Sequence, residues 1–497
     1  MSVNKTVYAL SMITPDFPLW TGAFARQLKR CRHSSAGTVH QLELLFQSWI
    51  APWLLAQQEE GDHSRDRCWN LRLVFWTFLW QISQAGASCR EAVRQAQALC
   101  QLNGQRQPDK ATSPYCQARA LLPLERLQQI HDEVVEAADK IIGAGQLWCG
   151  RRVLIADGCT VTAPDTPANQ KAYPQQATQQ PGCGFPIIRL VVLLSLATGM
   201  LVGWAAGNWF EHEVPLLQTL WDYLRPGDVL LADRGFCNWA LLAQCIQRQL
   251  DAVFRLKGSR RGDFRRGQRL SRHERLVQWR KPPQQAWTVS QKLWAQLPEV
   301  LTLRLVRCQL SVPGFRTRQV TLVTTLLDSQ LFPPSKLAQL YYRRWSMELS
   351  LRNLKTTLQM DQLSCKNPAN LEREIRMHFL VHNLVRRLML EAACRHQVPL
   401  ERVSFAGSLA AARRYAETLL QLRSQRQRRI LQDRLLRLLA QDLVAERPGR
   451  REPRAVKRRP KPYPLLNKHR HRFREISHQN RYYLSRFGSK HPKLSRP

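Results

Sequence analysis

The sequence has few acidic residues for its size. Only 37 Asp and Glu stand against 75 Lys and Arg, which leaves a formal net charge of +38. Such an excess of one sign repels itself in a compact chain and is typical of a protein with a polyanionic partner. Nucleic acid is the leading candidate. An anionic membrane surface is the second, but the basic residues are spread through segments that look folded and do not gather on one amphipathic helix.

Paired cysteines and long apolar runs are also missing. None of the 13 cysteines belongs to a CxxC pair, which argues against zinc ribbons and fingers. Their odd number and scattered positions favour a reducing cytosol. The longest apolar run, from Leu190 to Leu196, is far shorter than the ~20 residues of a membrane helix, and the N-terminus lacks a signal-peptide pattern. We therefore expect a soluble, intracellular protein with no membrane partner.

The chain does have enough apolar residues to fold, since 44% of its 497 residues are hydrophobic. This length is too great for one ordinary core. Residues 1–145 have helical periodicity, whereas from Gly150 onward short apolar runs alternate with helical segments. Three such runs, at Val153–Asp157, Ile187–Gly207 and Asp228–Asp233, are predicted strands, the second of them a hairpin. Near-continuous apolar strands between helices predict a mixed α/β sheet covered on both faces.

Two aspartates follow apolar strands in the same way. Asp157 and Asp233 each end a predicted strand, and a glycine follows each within two residues. In open α/β sheets the chemistry lies beyond the carboxyl ends of central strands. Either aspartate alone could simply begin a turn or cap a helix. If the two strands are neighbours, both carboxylates converge on one point.

A third group of polar residues lies on a predicted helix from Ser335 to about Met360. Tyr341, Arg344, Glu348 and Lys355 are at offsets of 0, 3, 7 and 14. At ~100° per residue these offsets place all four within about 60° of one another on one helical stripe. An exposed face with an Arg344–Glu348 ion pair is the simpler interpretation. A site that faces a partner or a metal ion is the other.

Three gathered carboxylates suit one kind of chemistry. Cleavage and joining of phosphodiesters are in-line displacements, and two Mg²⁺ ions roughly 3.5–4 Å apart activate the attacking oxygen and stabilise the leaving one. Hard divalent ions prefer oxygen ligands. An arginine on the same helix could bind a neighbouring phosphate with two hydrogen bonds.

At these residues the chain resembles a known family, the insertion-sequence DDE transposases with the YREK signature. That signature is Tyr, two residues, Arg, three residues, Glu, six residues, Lys, and Tyr341, Arg344, Glu348 and Lys355 match every spacing. The family's two aspartates lie in strand contexts such as LIADGCT and LLADRGF, both present here. The resemblance covers about 150–385 well and the N-terminal region loosely.

The resemblance implies both a fold and a function. The fold is a ribonuclease H-like catalytic domain with a β-rich insertion. The function is transposition through a homodimeric synaptic complex that holds terminal inverted repeats and target DNA. Asp157, Asp233 and Glu348 would be the catalytic residues and would bind two Mg²⁺ ions, with Mn²⁺ as a substitute. Tyr341, Arg344 and Lys355 would contact the DNA backbone. An aromatic residue of the insertion stacks on a flipped base in parts of the family, and the candidates are Trp279, Trp287 and Trp294.

Together these observations predict five regions. They are a helical DNA-end-binding domain (1–145), a catalytic domain in two pieces (150–257 and 334–385), a β-rich insertion (258–333), a C-terminal helical region (386–446) and a basic tail (447–497). The tail holds 17 Lys or Arg against two Glu and is expected to be disordered until it meets an anionic partner.

Two other features favour simpler interpretations, and two rival functions remain open. His378 and His382 have a zinc-binding spacing, but with apolar residues between them packing is the preferred interpretation. The Gly/Arg loop Gly258–Gly267 could cradle phosphates or be a plain surface loop. The rivals to transposition are a ribonuclease H-like nuclease without strand transfer and a catalytically inactive or domesticated DNA-binding protein.

Overall fold

The computed structural model describes residues 41–56, 68–257, 264–309, 319–422, 424–445 and Arg472. The basic tail, apart from Arg472, and most of the Gly258–Gly267 loop lie outside the described residues. Within the described residues, the helices before the first strand are α1 (Gln41–Phe46), α2 (Leu71–Ser83), α3 (Cys89–Leu102), α4 (Thr112–Ala120) and α5 (Leu124–Asp139). After α1 the chain breaks into short 3₁₀ turns, one of which starts at Pro52, because proline cannot continue a helix.

The centre of the fold is one mixed sheet with the strand order β3-β2-β1-β4-β5-β9-β8-β7-β6. Its first five strands are β1 (Val153–Thr162), β2 (Ile187–Ser195), β3 (Leu201–Asn208), β4 (Val229–Ala232) and β5 (Asp251–Arg255). The pairs β1–β2 and β2–β3 are antiparallel, and β1–β4 and β4–β5 are parallel. The predicted ribonuclease H-like mixed sheet is confirmed, as is the hairpin between β2 and β3.

Helices cover this sheet. They are α6 (Pro167–Ala172), α7 (Glu213–Gln218) and α8 (Trp239–Gln247). Most strand residues are apolar, and Leu190 to Leu193 are completely buried. Burial of both faces explains why these strands appear in the sequence as continuous apolar runs without alternation.

The interval 258–333 contributes strands to the same sheet. It contains β6 (Gln268–Ser271), β7 (Glu274–Arg280), α9 (Gln291–Gln296), β8 (Val300–Gln309) and β9 (Gln319–Thr324). β9 pairs antiparallel with β5 and so covers a strand edge that would otherwise expose unpaired backbone groups. Arg304 of β8 is completely buried against Glu274 of β7. It also donates to the backbone oxygens of Leu326, Asp328 and Phe332, which fixes the chain that leads to the next helix.

The predicted single helix from Ser335 to about Met360 is wrong in detail. The structure has α10 (Pro334–Arg343), α11 (Trp345–Arg352) and a π turn (Asn353–Thr357). The break falls at Arg344, whose side chain turns into the sheet region. The regular rotation of ~100° per residue therefore ends before Lys355. The four signature residues do not share one continuous helical stripe.

The C-terminal helices pack against the N-terminal ones. They are α12 (Pro368–His396), α13 (Phe405–Gln421) and α14 (Gln425–Gln441), and α12 contacts α2, α5 and α14. His378 and His382 are buried inside α12, and burial lowers the pKa of their imidazoles to about 4 and about 3. His382 stacks on Phe405 with ring centroids 5.1 Å apart, which matches the packing interpretation. In the described part of the chain no helix is long and apolar enough to span a membrane.

Candidate active site

The two aspartates lie at the point where the parallel pairing of β1 and β4 ends. Ala156 pairs with Ala232 in the last paired position, so Asp157 and Asp233 are the next residues on adjacent strands. Asp157 does not end its strand, however, because β1 runs on to Thr162 through its pairing with β2. The pairing of β1 with β4 therefore ends just before Asp157, near the predicted strand end, but the strand itself does not. Adjacent parallel strands bring both carboxylates to the same edge, as expected.

Each aspartate is oriented by a backbone amide of the following glycine. Asp157 Oδ1 accepts a hydrogen bond of 2.9 Å from the amide of Gly158. Asp233 Oδ1 accepts one of 2.7 Å from the amide of Gly235. One oxygen of each carboxylate is thus held locally, and the other is available for a second interaction.

Arg344 connects Asp157 to the helix glutamate. Its Nη1 lies 3.3 Å from Asp157 Oδ2, and its Nη2 lies 2.7 Å from Glu348 Oε1. The Arg344 side chain is 14% exposed and that of Asp157 20% exposed, so this ion pair is shielded from solvent. Arg344 lies at the break between α10 and α11, and Glu348 lies one turn further along, on α11.

Burial and the charges of neighbouring carboxylates disfavour the ionised form of Asp157. The pKa of its carboxyl is raised to about 6, chiefly by burial, while Arg344 and the Gly158 amide act in the opposite direction. The charges of Asp233 and Glu348 raise it further. Asp157 therefore lies near enough to the other two carboxylates for their charges to act on it through a medium that screens poorly.

These residues fit a divalent cation in chemical type. Three carboxylates are hard oxygen donors, and a bound cation would favour the ionised form of Asp157, which burial above all disfavours. In the described residues, no group of three His, Cys, Asp or Glu is drawn together tightly enough to hold a metal ion. Arg344 stands between Asp157 and Glu348 and supplies positive charge at that place.

Tyr341 and Lys355 occupy different surroundings. Tyr341 is 6% exposed, and the Arg344 guanidinium carbon lies 5.8 Å from its ring centroid. Lys355 is half-buried in the π turn. Its charge acts on the thiol of Cys159, which lies two residues after Asp157 on the same face of β1. Tyr341 thus packs beside Arg344, and Lys355 lies near Cys159 on β1.

Glu213 is a neighbouring carboxylate that the sequence did not indicate. It is the first residue of α7, and its side chain lies directly against Gly158, where a Cβ would overlap the carboxylate. Burial raises the pKa of Glu213, Arg189 opposes that rise, and Asp233 adds to it. An acidic residue in the first turn of a helix is ordinary, so nothing in the sequence separated Glu213 from a simple helix start.

The sheet order and the carboxylates at the β1–β4 junction define a ribonuclease H-like α/β domain. Residues 148–384 match the family described as the Transposase DDE domain, and this span includes Asp157, Asp233 and Glu348. This span of the chain is therefore similar to the DDE transposase domain. It is 26% identical over 411 residues to the Transposase InsG for insertion sequence element IS4 from Escherichia coli, and the alignment covers 81% of this chain and 89% of that relative.

A solved structure of the piggyBac transposase synaptic complex with hairpin DNA is also similar. Its TM-score is 0.39 at 11% identity, with 82% of this chain and 86% of that chain covered.

Proposed function

We propose that this protein is a DNA transposase of the YREK-signature group. It would cleave at the terminal inverted repeats of an insertion sequence and transfer the freed 3′-OH ends into target DNA. The observation that carries the proposal is that Asp157 and Asp233 follow the last paired residues of two adjacent parallel strands, while Arg344 links Asp157 to Glu348. All three carboxylates lie within the span that matches the Transposase DDE domain. Similarity to an insertion-sequence transposase over most of the chain supports it.

Asp157, Asp233 and Glu348 would hold the divalent ions in this proposal. Two Mg²⁺ ions, or Mn²⁺ in their place, would activate the attacking oxygen and stabilise the leaving oxygen of the phosphodiester. Gly158 and Gly235 fix one oxygen of each aspartate by their amides, which leaves the second oxygen directed toward the common edge. Arg344 neutralises the carboxylates when no other cation does so.

Tyr341, Arg344 and Lys355 would contact the backbone of the transposon end. Arg344 can offer a phosphate two parallel hydrogen bonds, and Lys355 supplies a point charge on the β1 side of the site. The net charge of +38 suits a partner as anionic as DNA. Two chains would act together as a homodimer, with the region 1–145 recognising the DNA ends.

Trp287 is the insertion aromatic best placed to stack on an extruded base. Its side chain is 69% exposed, and its ring lies 4.7 Å from that of His212, the neighbour of Glu213. Trp294 instead packs on Trp239 at 5.4 Å, and Trp279 is half-buried on β7. Only an exposed ring beside the carboxylates can receive a base without unpacking the domain.

The test is cleavage and joining of a labelled inverted-repeat end by the purified full chain in Mg²⁺. Ala at Asp157, Asp233 or Glu348 should each reduce cleavage by more than about a hundredfold and leave end binding intact. Asp222→Ala, on the exposed surface of the same domain, is the matched control. Wild-type cleavage by any of the three variants removes that residue from the site.

The products distinguish the rival functions. Cleaved ends that join to target DNA support transposition. Cleavage that never yields a joined product supports a nuclease of the same fold, and end binding without cleavage supports an inactive DNA-binding protein.

A further inference from the structure

A buried arginine holds together a group of thiols far from the carboxylates. Arg119 of α4 is 8% exposed, and it donates to Cys89 Sγ at 3.9 Å and to Cys365 Sγ at 3.4 Å. Cys116 lies in contact with Cys89. We call Arg119, Cys89, Cys116 and Cys365 the Arg119 thiol cluster. It joins the N-terminal helices to the chain that leads into α12.

The charge of Arg119 has no carboxylate in direct contact among the described residues. Its oxygen partner is the amide of Gln81 at 3.2 Å, and the faces of Phe78 and Tyr115 lie 4.7 and 5.7 Å from its guanidinium carbon. The nearest acid, Glu374, is engaged by the Ser364 and Cys365 amides. A buried cation without a counter-charge is costly. An ionised thiol in the cluster would supply that charge.

Cys89 is the thiol best placed to ionise. It is the first residue of α3, where the positive end of the helix dipole favours an anion. Its sulfur also accepts from the Gln81 amide at 3.7 Å. The hydrogen bond from Cys116 lowers the pKa of Cys89, and Arg119 and Gln81 act in the same direction against burial. Burial raises the pKa of Cys365, and contact with Cys89 raises that of Cys116.

A reactive thiol must also be accessible from solvent. Cys89 and Cys116 are both partly exposed, whereas Cys365 is buried. Reactive cysteines lie in electropositive, partly exposed places where the thiolate is stabilised. A second thiol already in contact with the first could resolve an oxidised sulfur without a large movement.

We propose that Cys89 and Cys116 form a peroxide-sensitive dithiol site, with Cys89 as the attacking thiolate and Cys116 as the resolving thiol. Cys89 attacks one oxygen of hydrogen peroxide, the O–O bond breaks, and a sulfenic acid and hydroxide form. The Cys116 sulfur then attacks the Cys89 sulfur, the S–O bond breaks, and the hydroxyl leaves as water with the proton from Cys116. The two thiols are oxidised to one disulfide while peroxide is reduced to water. This site is independent of the proposed DNA chemistry.

The first measurement is the pH dependence of alkylation by iodoacetamide, followed by peptide mass mapping of the full chain. Cys394, which is exposed, is the internal standard. Between pH 8 and pH 6 an ordinary thiol should slow on the order of a hundredfold, because its thiolate fraction falls with pH. Cys89 should slow less than about threefold. Cys89 and Cys394 with the same profile would overturn the proposal.

The second measurement is the product of hydrogen peroxide treatment. The linked Cys89–Cys116 peptide should appear, and Cys116→Ser should abolish it while leaving a Cys89 sulfenic acid that dimedone traps. Cys100→Ser, on the buried side of the same helix α3, is the matched control and should leave the link unchanged. Peroxide that oxidises Cys394 yet leaves Cys89 and Cys116 reduced would overturn the dithiol.

Discussion

Opposing influences act on the pKa of the Asp157 carboxyl. Burial raises its pKa, Arg344 and the Gly158 amide lower it, and Asp233 and Glu348 raise it again. In the unfolded chain the same carboxyl titrates near 4, and in the folded protein near 6. Without a metal ion, the folded protein therefore loses stability as this residue ionises.

The sign of this effect gives a pH-dependent prediction. A carboxyl with a raised folded-state pKa costs nothing below the unfolded value and its full penalty above the folded value. Between pH 4 and pH 7 the wild-type protein should lose about 2 to 3 kcal/mol of unfolding free energy relative to Asp157→Asn. Urea denaturation without metal ions measures this difference.

The same variant also tests the binding of divalent ions. At pH 7, Mg²⁺ should raise the unfolding free energy of the wild-type protein but not that of Asp157→Asn, because a ligand that binds only the folded state stabilises it. Asp222→Asn serves as the control and should follow the wild type in both respects. Parallel stability curves for the wild type and Asp157→Asn would contradict the raised pKa.

At the residue scale, the sequence indicated the candidate site residues but not the contacts between them. Asp157 and Asp233 stood out because both follow apolar strands, and Glu348 stood out through its spacing from Tyr341 and Arg344. The ion pair between Arg344 and Asp157 spans 187 residues of chain, so no local pattern could predict it. Glu213 remained hidden because a first-turn glutamate is common in helices.

At the scale of elements, the packing of α7 on β1 depends on the missing side chain of Gly158. The Glu213 carboxylate of α7 occupies the space where a Cβ at position 158 would lie. Gly158 is in a strand that pairs with Val191 of β2, so its backbone conformation does not itself require glycine. With a larger residue at position 158, the Glu213 side chain would have to move.

A double-mutant cycle tests that contact. Gly158→Ala should destabilise the protein by about 1 to 3 kcal/mol, as expected for overpacking. In a Glu213→Ala background the same change should cost less than about 0.5 kcal/mol, since the obstructing carboxylate is gone. Gly143→Ala, where nothing lies within 4 Å of the added Cβ, is the matched glycine control. An equal cost in both backgrounds would show that Glu213 does not require the glycine.

The elements themselves were predicted unevenly. The apolar runs predicted β2, β3 and β4 because buried strands have a continuous apolar pattern. The helix around Glu348 was predicted as continuous, yet it breaks at Arg344 and loosens into a π turn. Periodicity alone does not detect such a break, because it comes from the tertiary contact that Arg344 makes with β1.

At the scale of the whole molecule, the strands of 258–333 and the core strands form one sheet, joined through the β5–β9 pair. The sequence indicated strands in both places, but pairing between residues about 70 positions apart, such as Val253 with Thr324, carries no local signal. The N-terminal and C-terminal helices likewise meet through α12. Asn383 of α12 bonds the backbone of Leu201 and the ring of His131.

The net charge leads to the last prediction, which concerns the tail 447–497. Its 17 basic residues lie beyond α14, which ends at Gln441, so the deletion removes none of the described helices. Deletion should weaken DNA binding and flatten its salt dependence, because each lost phosphate contact lowers the log–log slope of affinity against salt concentration by about 0.9.

The control is a full-length variant with those basic residues changed to Gln, which removes the charge of the tail but keeps its length. This variant should bind DNA like the deletion. Fluorescence anisotropy over a salt series measures the slope, and thermal unfolding checks that the fold is retained. A slope that stays at the wild-type value in both variants would mean that the DNA contacts all come from the rest of the chain.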